Sequence, residues 1–202
     1  MHNASRLLIG IALCASQCAA ADRPAASGGG GPTLPNVGLL TQDSKPVRFY
    51  DDLIKGKTVV ISFLFTSCKV ICPRTTANLL KVQKALGDRM GRDVFFYSLT
   101  LDPATDTPEV LRKFAKRLGA KPGWTFLTGK PEDLELLRRK LGLFDPDPKV
   151  DADKTQHGAV IVYGNDAAGR WSMMPALADS ERIADAVRRV MGYGVPPSAV
   201  RP

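Results

Sequence analysis

The stretch FTSCKVICPRTTANLL, residues 65–80, places two cysteines four positions apart and follows the second with a proline. The apolar run TVVISFLF (58–65) leads into it, with the length and the β-branched and aromatic content of a strand buried on both faces. Proline is favoured in the first turn of a helix, and apolar residues then recur at helical spacing from Pro73 to Gly87. The stretch therefore predicts a strand that turns into a helix, with both cysteines at the turn.

Further strands and helices alternate along the rest of the chain. VGLLTQDSKPVRFYDD reads as two short strands, DVFFYSLTL (93–101) as a second buried strand, and HGAVIVYGNDAAGRWSMM as a hairpin. Helices are predicted in TDTPEVLRKFAKRLG, PEDLELLRRKLGLF and ADSERIADAVRRVMGYG. This order predicts an α/β sandwich with a central mixed β-sheet flanked by helices and a late β-hairpin.

The N-terminal segment has the layout of a secretory signal. Residues 1–21 contain one arginine, a short apolar core and small residues before Asp22, and the apolar core is shorter than the ~20 residues that a membrane-spanning helix needs. Residues 22–34 include four consecutive glycines and predict a flexible linker. We therefore expect a folded domain over 35–193, a tail over 194–202 and a periplasmic protein.

Attachment to a membrane through a lipid is the alternative for this segment. Cys14 and Cys18 lie within it, and acylation at such a cysteine normally follows a small residue. Leu13 and Gln17 occupy those preceding positions, so cleavage before Asp22 is the favoured interpretation.

Removal of residues 1–21 leaves Cys68 and Cys72 as the only cysteines and His157 as the only histidine. Two thiols in an oxidising compartment pair unless they are protected or used. Three interpretations follow for the pair: a structural disulfide, a redox pair, or part of a metal site. The turn from strand to helix is expected to be exposed, which disfavours a buried structural disulfide. The N-terminus of the helix makes a nearby thiolate easier to form.

The order of three motifs resembles the SCO/SenC family of exported, thioredoxin-like copper proteins. These are FTSCKVICPRTTANL, LDPATDTPEVL and the histidine that begins HGAVIVYGNDAAGRW. The resemblance implies a thioredoxin-like fold and makes Cys68, Cys72 and His157 the copper ligands. The chain departs from many family members between the cysteines, where Lys69-Val70-Ile71 stands in place of Pro-Asp-Val.

The chemistry of the three side chains agrees with copper. Two thiolates and an imidazole form a soft ligand set that disfavours calcium and magnesium. Structural zinc usually takes four protein ligands, and no fourth cysteine or histidine remains after removal of residues 1–21, so zinc is also disfavoured.

Two other groups of residues have a structural and a functional interpretation. Asp106 and Thr107 before Pro108 can cap a helix, while the family resemblance places an aspartate here near the metal loop. Met173 and Met174 at a strand end are interpreted as core or rim residues rather than copper ligands.

Three function classes remain. A metallochaperone would deliver copper to a cuproenzyme, for which the resemblance implies the copper-site domain of cytochrome c oxidase. A thiol–disulfide oxidoreductase would use Cys68 and Cys72 as a redox pair on partner cysteines, with a thiol reductant protein to regenerate it. A peroxiredoxin-type peroxidase is disfavoured because its Pro…Thr-x-x-Cys run is missing. The net charge of +8 is interpreted mainly as a solvated surface, although it could steer the domain towards an acidic partner or an anionic membrane surface, and no nucleic-acid motif appears.

Overall fold

A seven-stranded β-sheet forms the centre of the protein in the computed structural model, which describes residues 33–153 and 159–192. The strands are β1 (Gly38–Thr41), β2 (Pro46–Arg48), β3 (Thr58–Leu64), β4 (Val94–Thr100), β5 (Trp124–Gly129), β6 (Val160–Asn165) and β7 (Arg170–Pro175). Their order across the sheet is β2-β1-β5-β4-β3-β6-β7. Strands β3, β4 and β5 are parallel, and the remaining pairings are antiparallel. The predicted mixed sheet with a late hairpin, β6–β7, is therefore confirmed.

Helices cover both faces of the sheet. They are α1 (Ile71–Leu86), α2 (Pro108–Leu118), α3 (Pro131–Lys140), α4 (Pro148–Ala152) and α5 (Ser180–Gly192). The start of α2 follows the sequence signals, because Thr107 is the N-cap and accepts the backbone N–H of Val110 at 3.4 Å. Its end is a left-handed Gly119 with φ of 75°, a conformation that glycine adopts without a steric penalty.

The side chains of β3 alternate between two hydrophobic cores. Val60 and Leu64 pack on the side of α1, α2 and α5, whereas Val59 and Ile61 pack on the side of α3. All four are at most 3% exposed, as expected for a central strand that is covered on both faces. This rigid double-sided packing fixes the position at which β3 ends and the cysteine loop begins.

The structure corrects the sequence interpretation in four places. The apolar run at 124–129 forms β5, which pairs with β4 and β1 and was missing from the predicted elements. Residues Phe49–Ile54 form a short π-helical turn instead of continuing a strand, and α4 was not predicted. Helix α1 begins at Ile71, two residues earlier than the proline suggests, because the first-turn N–H groups of a helix have no intrahelical partner and proline fits anywhere among them.

The predicted signal segment 1–21, most of the linker and the tail 194–202 lie outside the described residues. Within 33–153 and 159–192, no helix has both the length and the apolar character needed to cross a membrane.

Candidate metal centre

The two cysteines lie where β3 passes into α1. Strand β3 ends at Leu64, and the Cys68 backbone N–H then donates to the carbonyl oxygen of Phe65 at 3.2 Å, which closes a tight turn. Cys72 follows in the first turn of α1 and is buried, whereas Cys68 is partly exposed. Both thiols are free in the structure.

The sulfur of Cys68 takes the place of a helix-capping side chain. The N-cap residue of α1 is Val70, whose side chain cannot accept a hydrogen bond. The backbone N–H of Cys72 instead donates to Cys68 Sγ at 3.3 Å. A first-turn N–H group that would otherwise lack a partner therefore points at this sulfur.

The two thiols have opposite acid–base character. Burial raises the pKa of Cys68, but hydrogen bonds from the Cys72 thiol and from the backbone N–H groups of Cys72, Val70 and Ile71 outweigh it and leave the pKa below its ordinary value. Burial, together with the hydrogen bond to Cys68, raises the pKa of Cys72 to about 12. The sequence prediction of an easily formed thiolate therefore fits Cys68 and is wrong for Cys72. The groups that lower the pKa of Cys68 are hydrogen-bond donors.

A buried carboxylate anchors the start of the cysteine loop. Asp106 is fully buried and accepts hydrogen bonds from the Thr66 backbone N–H at 3.1 Å and from the Thr66 hydroxyl. It also accepts the Thr100 hydroxyl at 2.6 Å. Thr107, and not Asp106, is the N-cap of α2. The hydrogen bonds of Asp106 instead join the cysteine loop to the end of β4.

A cavity of about 210 Å³ opens beside Cys72. Its walls come from the end of β3, the first turn of α1, the segment before α4, and β7. The apolar side chains that line it include Phe65, Ile71, Leu143, Phe144, Val150 and Met173. Met174, the next residue on β7, packs against the hydrophobic core instead, so the methionine pair divides into one rim residue and one core residue.

A buried ion pair holds the wall of this cavity that precedes β6. Arg138 of α3 donates to both carboxylate oxygens of Asp151 in α4, at 2.5 and 2.7 Å. Asp151 also accepts the backbone N–H of Asp145 at 2.9 Å, and Arg138 donates to the Leu143 carbonyl oxygen at 3.1 Å. Sequence reasoning missed this pair because the two residues belong to different helices and neither lies in a recognisable motif.

The comparison with known proteins decides the relationship. The sequence profile of the SCO1/SenC family matches residues 37–192. The chain belongs to the SCO1/SenC family. A SCO1 protein homolog of Bacillus subtilis is 38% identical over 89 residues, which are 44% of this chain and 45% of that protein. The chain thus aligns with less than half the length of that curated relative.

Two solved structures extend the likeness to most of the fold. The copper-bound ScoI of Bradyrhizobium japonicum is 25% identical, with a TM-score of 0.61 over 76% of this chain and 96% of that one. The second is BsSco, a member of the Sco family of cytochrome c oxidase assembly proteins, and a disulfide switch was identified in BsSco. It is 26% identical, with a TM-score of 0.62 over 79% of this chain and 95% of that one.

The described residues of this SCO1/SenC protein bring together two of the three predicted ligands. Cys68 and Cys72 are in direct hydrogen-bond contact, and His157 lies outside the described ranges. Within those ranges, no group of three or more histidine, cysteine, aspartate or glutamate side chains could hold a metal ion. The predicted role of His157 therefore stays a prediction.

Proposed function

We propose that this SCO1/SenC protein is an exported metallochaperone that binds one copper ion through Cys68, Cys72 and His157 and delivers it to a cuproenzyme. The observation that carries the proposal is the close approach of the two cysteines, in which the backbone N–H of Cys72 donates to Cys68 Sγ at 3.3 Å in the first turn of α1. Two soft thiolates at one point suit copper, which thiolate ligands select. The copper-bound ScoI of Bradyrhizobium japonicum supports the same cargo for this chain.

The position of His157 in the chain supports its assignment as the third ligand. It lies between α4 and β6, and Ala159, which directly precedes β6, lines the same cavity as Cys72. The Arg138–Asp151 ion pair holds α4, the element that leads into this segment. An imidazole added to two thiolates completes a three-coordinate soft site.

The recipient that we propose is the dinuclear copper site of cytochrome c oxidase. BsSco belongs to a family of cytochrome c oxidase assembly proteins, which supports this class of partner. The basic net charge, +8 for the full chain with only Arg6 in the cleaved segment, favours encounter with an acidic partner surface. Handing over a metal ion needs no catalytic turnover, so the proposed protein is not an enzyme.

The binding test uses the reduced protein, titrated with one equivalent of Cu(I) under nitrogen against a competing chelator. The wild type should bind one ion tightly, and Cys68→Ser, Cys72→Ser and His157→Ala should each weaken binding severely. Met173→Leu is the matched control, because its side chain is a soft thioether near the site that we do not assign as a ligand. Tight one-to-one binding after loss of either cysteine would reject the metal site.

A thiol–disulfide oxidoreductase is the second candidate, and the unequal thiols favour it. The Cys68 thiolate would attack a partner disulfide and expel one partner thiolate, which takes up a proton. Cys72, after losing its proton, would then attack the Cys68 sulfur and release the second partner thiolate. Two electrons pass to the partner, Cys68 and Cys72 end as a disulfide, and a thiol reductant protein must restore them. Repeated turnover of a model disulfide that is unchanged by His157→Ala, combined with feeble copper binding, would favour this candidate.

The proposed location is the periplasm, after cleavage of residues 1–21. The mature protein should begin near Asp22 and be recovered in the periplasmic fraction, as measured by mass spectrometry of the intact chain. Recovery of a protein acylated at Cys18 from the membrane fraction would show that a lipid anchor replaces the cleaved signal.

A further inference from the structure

We propose that the exposed faces of α1 and α2 form a basic surface that binds the phosphate groups of an anionic lipid bilayer. The proposal goes beyond copper delivery and does not depend on it, because neither cysteine takes part in the contact. The residues of this basic surface are Arg74, Lys81, Lys84, Arg112, Lys113, Lys116, Arg117 and Lys121.

The basic surface accounts for the whole net charge of the mature protein. Helix α1 contains three cations and no acidic residue, and α2 contains four cations and one acidic residue, Glu109. Together with Lys121, the two helices have a net charge of +7. The full chain has a net charge of +8, and removal of Arg6 with residues 1–21 leaves +7. The rest of the mature chain is therefore neutral as a group, and the positive charge is concentrated on one part of the molecule.

The two helices present their cations on the same side of the sheet. Leu79 and Val82 of α1 pack into the same hydrophobic core as Leu111 of α2, so the opposite faces of both helices point to solvent. The Gln83 side chain of α1 donates to the carbonyl oxygen of Lys121 and accepts its backbone N–H, both at 3.0 Å. The C-terminal end of α1 is thereby tied to the segment that follows α2, and the two rows of cations form one surface.

The charges of the basic surface are exposed and almost entirely uncompensated. All eight residues are exposed. Lys113 forms an ion pair with Glu109 at 2.8 Å, and none of the other seven forms an ion pair with any residue that the structure describes. The neighbouring helix α5 differs, because its Arg188 pairs with Asp185 at 2.7 Å and with Glu181 at 3.7 Å. Grouped cations without internal partners attract a surface that carries many negative charges.

The side chains between the cations indicate which kind of anionic partner fits. Protein interfaces are anchored by apolar and aromatic side chains, and none of the large apolar side chains of α1 or α2 is exposed. Single strands of nucleic acid stack on exposed aromatic rings. The single aromatic residue of the two helices, Phe114, instead packs its ring against Phe126, with 5.7 Å between the ring centroids. Lysine and arginine clusters without such anchors suit the phosphates of anionic lipids, which require no shaped pocket.

Binding by this surface leaves the cysteine loop accessible. Cys72 lies in the first turn of α1, and Lys84 lies in its last turn. At the rise of an α-helix, these two residues are about 18 Å apart along the helix axis. With the two helices flat on a bilayer, the cysteine loop lies at the edge of the contact and can still meet a recipient.

The test measures co-sedimentation of the reduced, copper-free mature protein with vesicles of phosphatidylcholine and phosphatidylglycerol, and with vesicles of phosphatidylcholine alone. The wild type should bind the anionic vesicles and not the neutral ones. Added salt should release it, because salt shortens the distance over which exposed charges interact. The triple variant Lys84→Gln, Lys116→Gln and Arg117→Gln should weaken binding by roughly tenfold or more.

The matched control is the triple variant Lys45→Gln, Lys130→Gln and Lys140→Gln. It removes the same number of charges from exposed positions outside the basic surface and should retain the vesicle affinity of the wild type. The circular dichroism spectra of both triple variants should match that of the wild type, because all six side chains are exposed.

A second measurement uses the wild type alone. The protein is labelled with an amine-reactive acetylating reagent, with and without anionic vesicles, and the modified lysines are located by mass spectrometry. Vesicles should protect Lys81, Lys84 and Lys116 and leave Lys130 and Lys140 as reactive as in the free protein.

Several results would overturn the proposal: no binding of the wild type to anionic vesicles, equally strong binding to neutral vesicles, or equal losses of affinity in the two triple variants. Vesicle binding that survives in the basic-surface variant, while binding to the copper-free recipient domain or to single-stranded DNA is lost, would assign the surface to an acidic protein or to nucleic acid and also overturn it. Failure of the wild type to bind Cu(I) rejects the proposed function and has no bearing on these vesicle measurements.

Discussion

The buried carboxylate of Asp106 accepts hydrogen bonds from both the backbone N–H and the hydroxyl of Thr66, and so fixes the start of the loop that carries Cys68. Replacement by asparagine introduces an N–H₂ group that faces these donors. We expect Asp106→Asn to lower the free energy of unfolding by about 1–3 kcal/mol, the cost of an unsatisfied buried polar group. Chemical denaturation measures this loss, and Cu(I) affinity should fall with it because the cysteine loop loses its anchor.

The control for this variant is Asp88→Asn, which changes an exposed aspartate in the short helical turn after α1. It should leave both stability and copper affinity close to wild type. Equal behaviour of Asp88→Asn and Asp106→Asn would mean that the hydrogen bonds to Thr66 do not hold the loop.

The unequal thiols predict selective alkylation. Because the pKa of Cys68 is lowered and that of Cys72 is raised to about 12, Cys68 should react with iodoacetamide near neutral pH and Cys72 should remain unmodified. Peptide mapping after a short exposure of the reduced, copper-free protein measures both sites. In denaturant the two cysteines should react alike, and equal rates in the native protein would contradict the assignment.

The Arg138–Asp151 pair predicts a pH-dependent contribution to stability. Hydrogen bonds from Arg138, and the Asp145 backbone N–H, hold the pKa of Asp151 well below its usual range despite the burial of its side chain. A carboxyl group whose pKa is lower in the folded than in the unfolded protein stabilises the fold at pH values above its unfolded pKa of about 4. This contribution is lost as the pH falls through the pKa of the folded state.

Asp151→Asn should therefore lower the free energy of unfolding at neutral pH by about 3 kcal/mol. This is the lower end of the cost of breaking a buried ion pair, and we expect the lower end because Glu135 still binds Arg138 at 2.8 Å. The difference from wild type should shrink in strong acid. Glu109→Gln, which breaks the exposed pair with Lys113, should change stability by less than about 1 kcal/mol. A stability difference between wild type and Asp151→Asn that is independent of pH would contradict the charge-based explanation.

Copper and a disulfide should compete for the same sulfurs. A ligating cysteine must be a thiolate, so oxidation of Cys68 with Cys72 should abolish tight copper binding, and reduction should restore it. Bound copper should also protect Cys68 from alkylation. Copper binding by the oxidised protein with undiminished affinity would place the metal elsewhere.

The sequence was sufficient to predict the fold class, because the elements that define it carry strong local signals. The buried strand β3, the capped helix α2 and the hairpin β6–β7 each match a pattern of spacing and turn residues. Strand β5 was missed although its residues WTFL (124–127) favour a strand: Trp124, Thr125 and Phe126 are strand-forming residues that follow Gly123. Its short length and its position between two predicted helices concealed it.

The sequence predicted that Cys68 and Cys72 come together, but it did not predict their pKa values or the hydrogen-bond partners of Asp106. The spacing of Cys68 and Cys72 indicates that they meet, but the opposite pKa shifts depend on burial and on which N–H groups point at which sulfur. The same is true of Asp106, whose sequence context suggests a helix cap and whose actual partners are Thr66 and Thr100. Such long-range contacts arise only when the sheet is assembled.

X-ray absorption spectroscopy of the protein loaded with one equivalent of Cu(I) tests the central claim most directly. The account predicts two sulfur ligands from Cys68 and Cys72 and one nitrogen ligand from His157 on a single copper ion. His157→Ala should remove the nitrogen contribution and leave both sulfurs in place. A wild-type spectrum with fewer than two sulfur ligands, or one unchanged by His157→Ala, would contradict the proposed site.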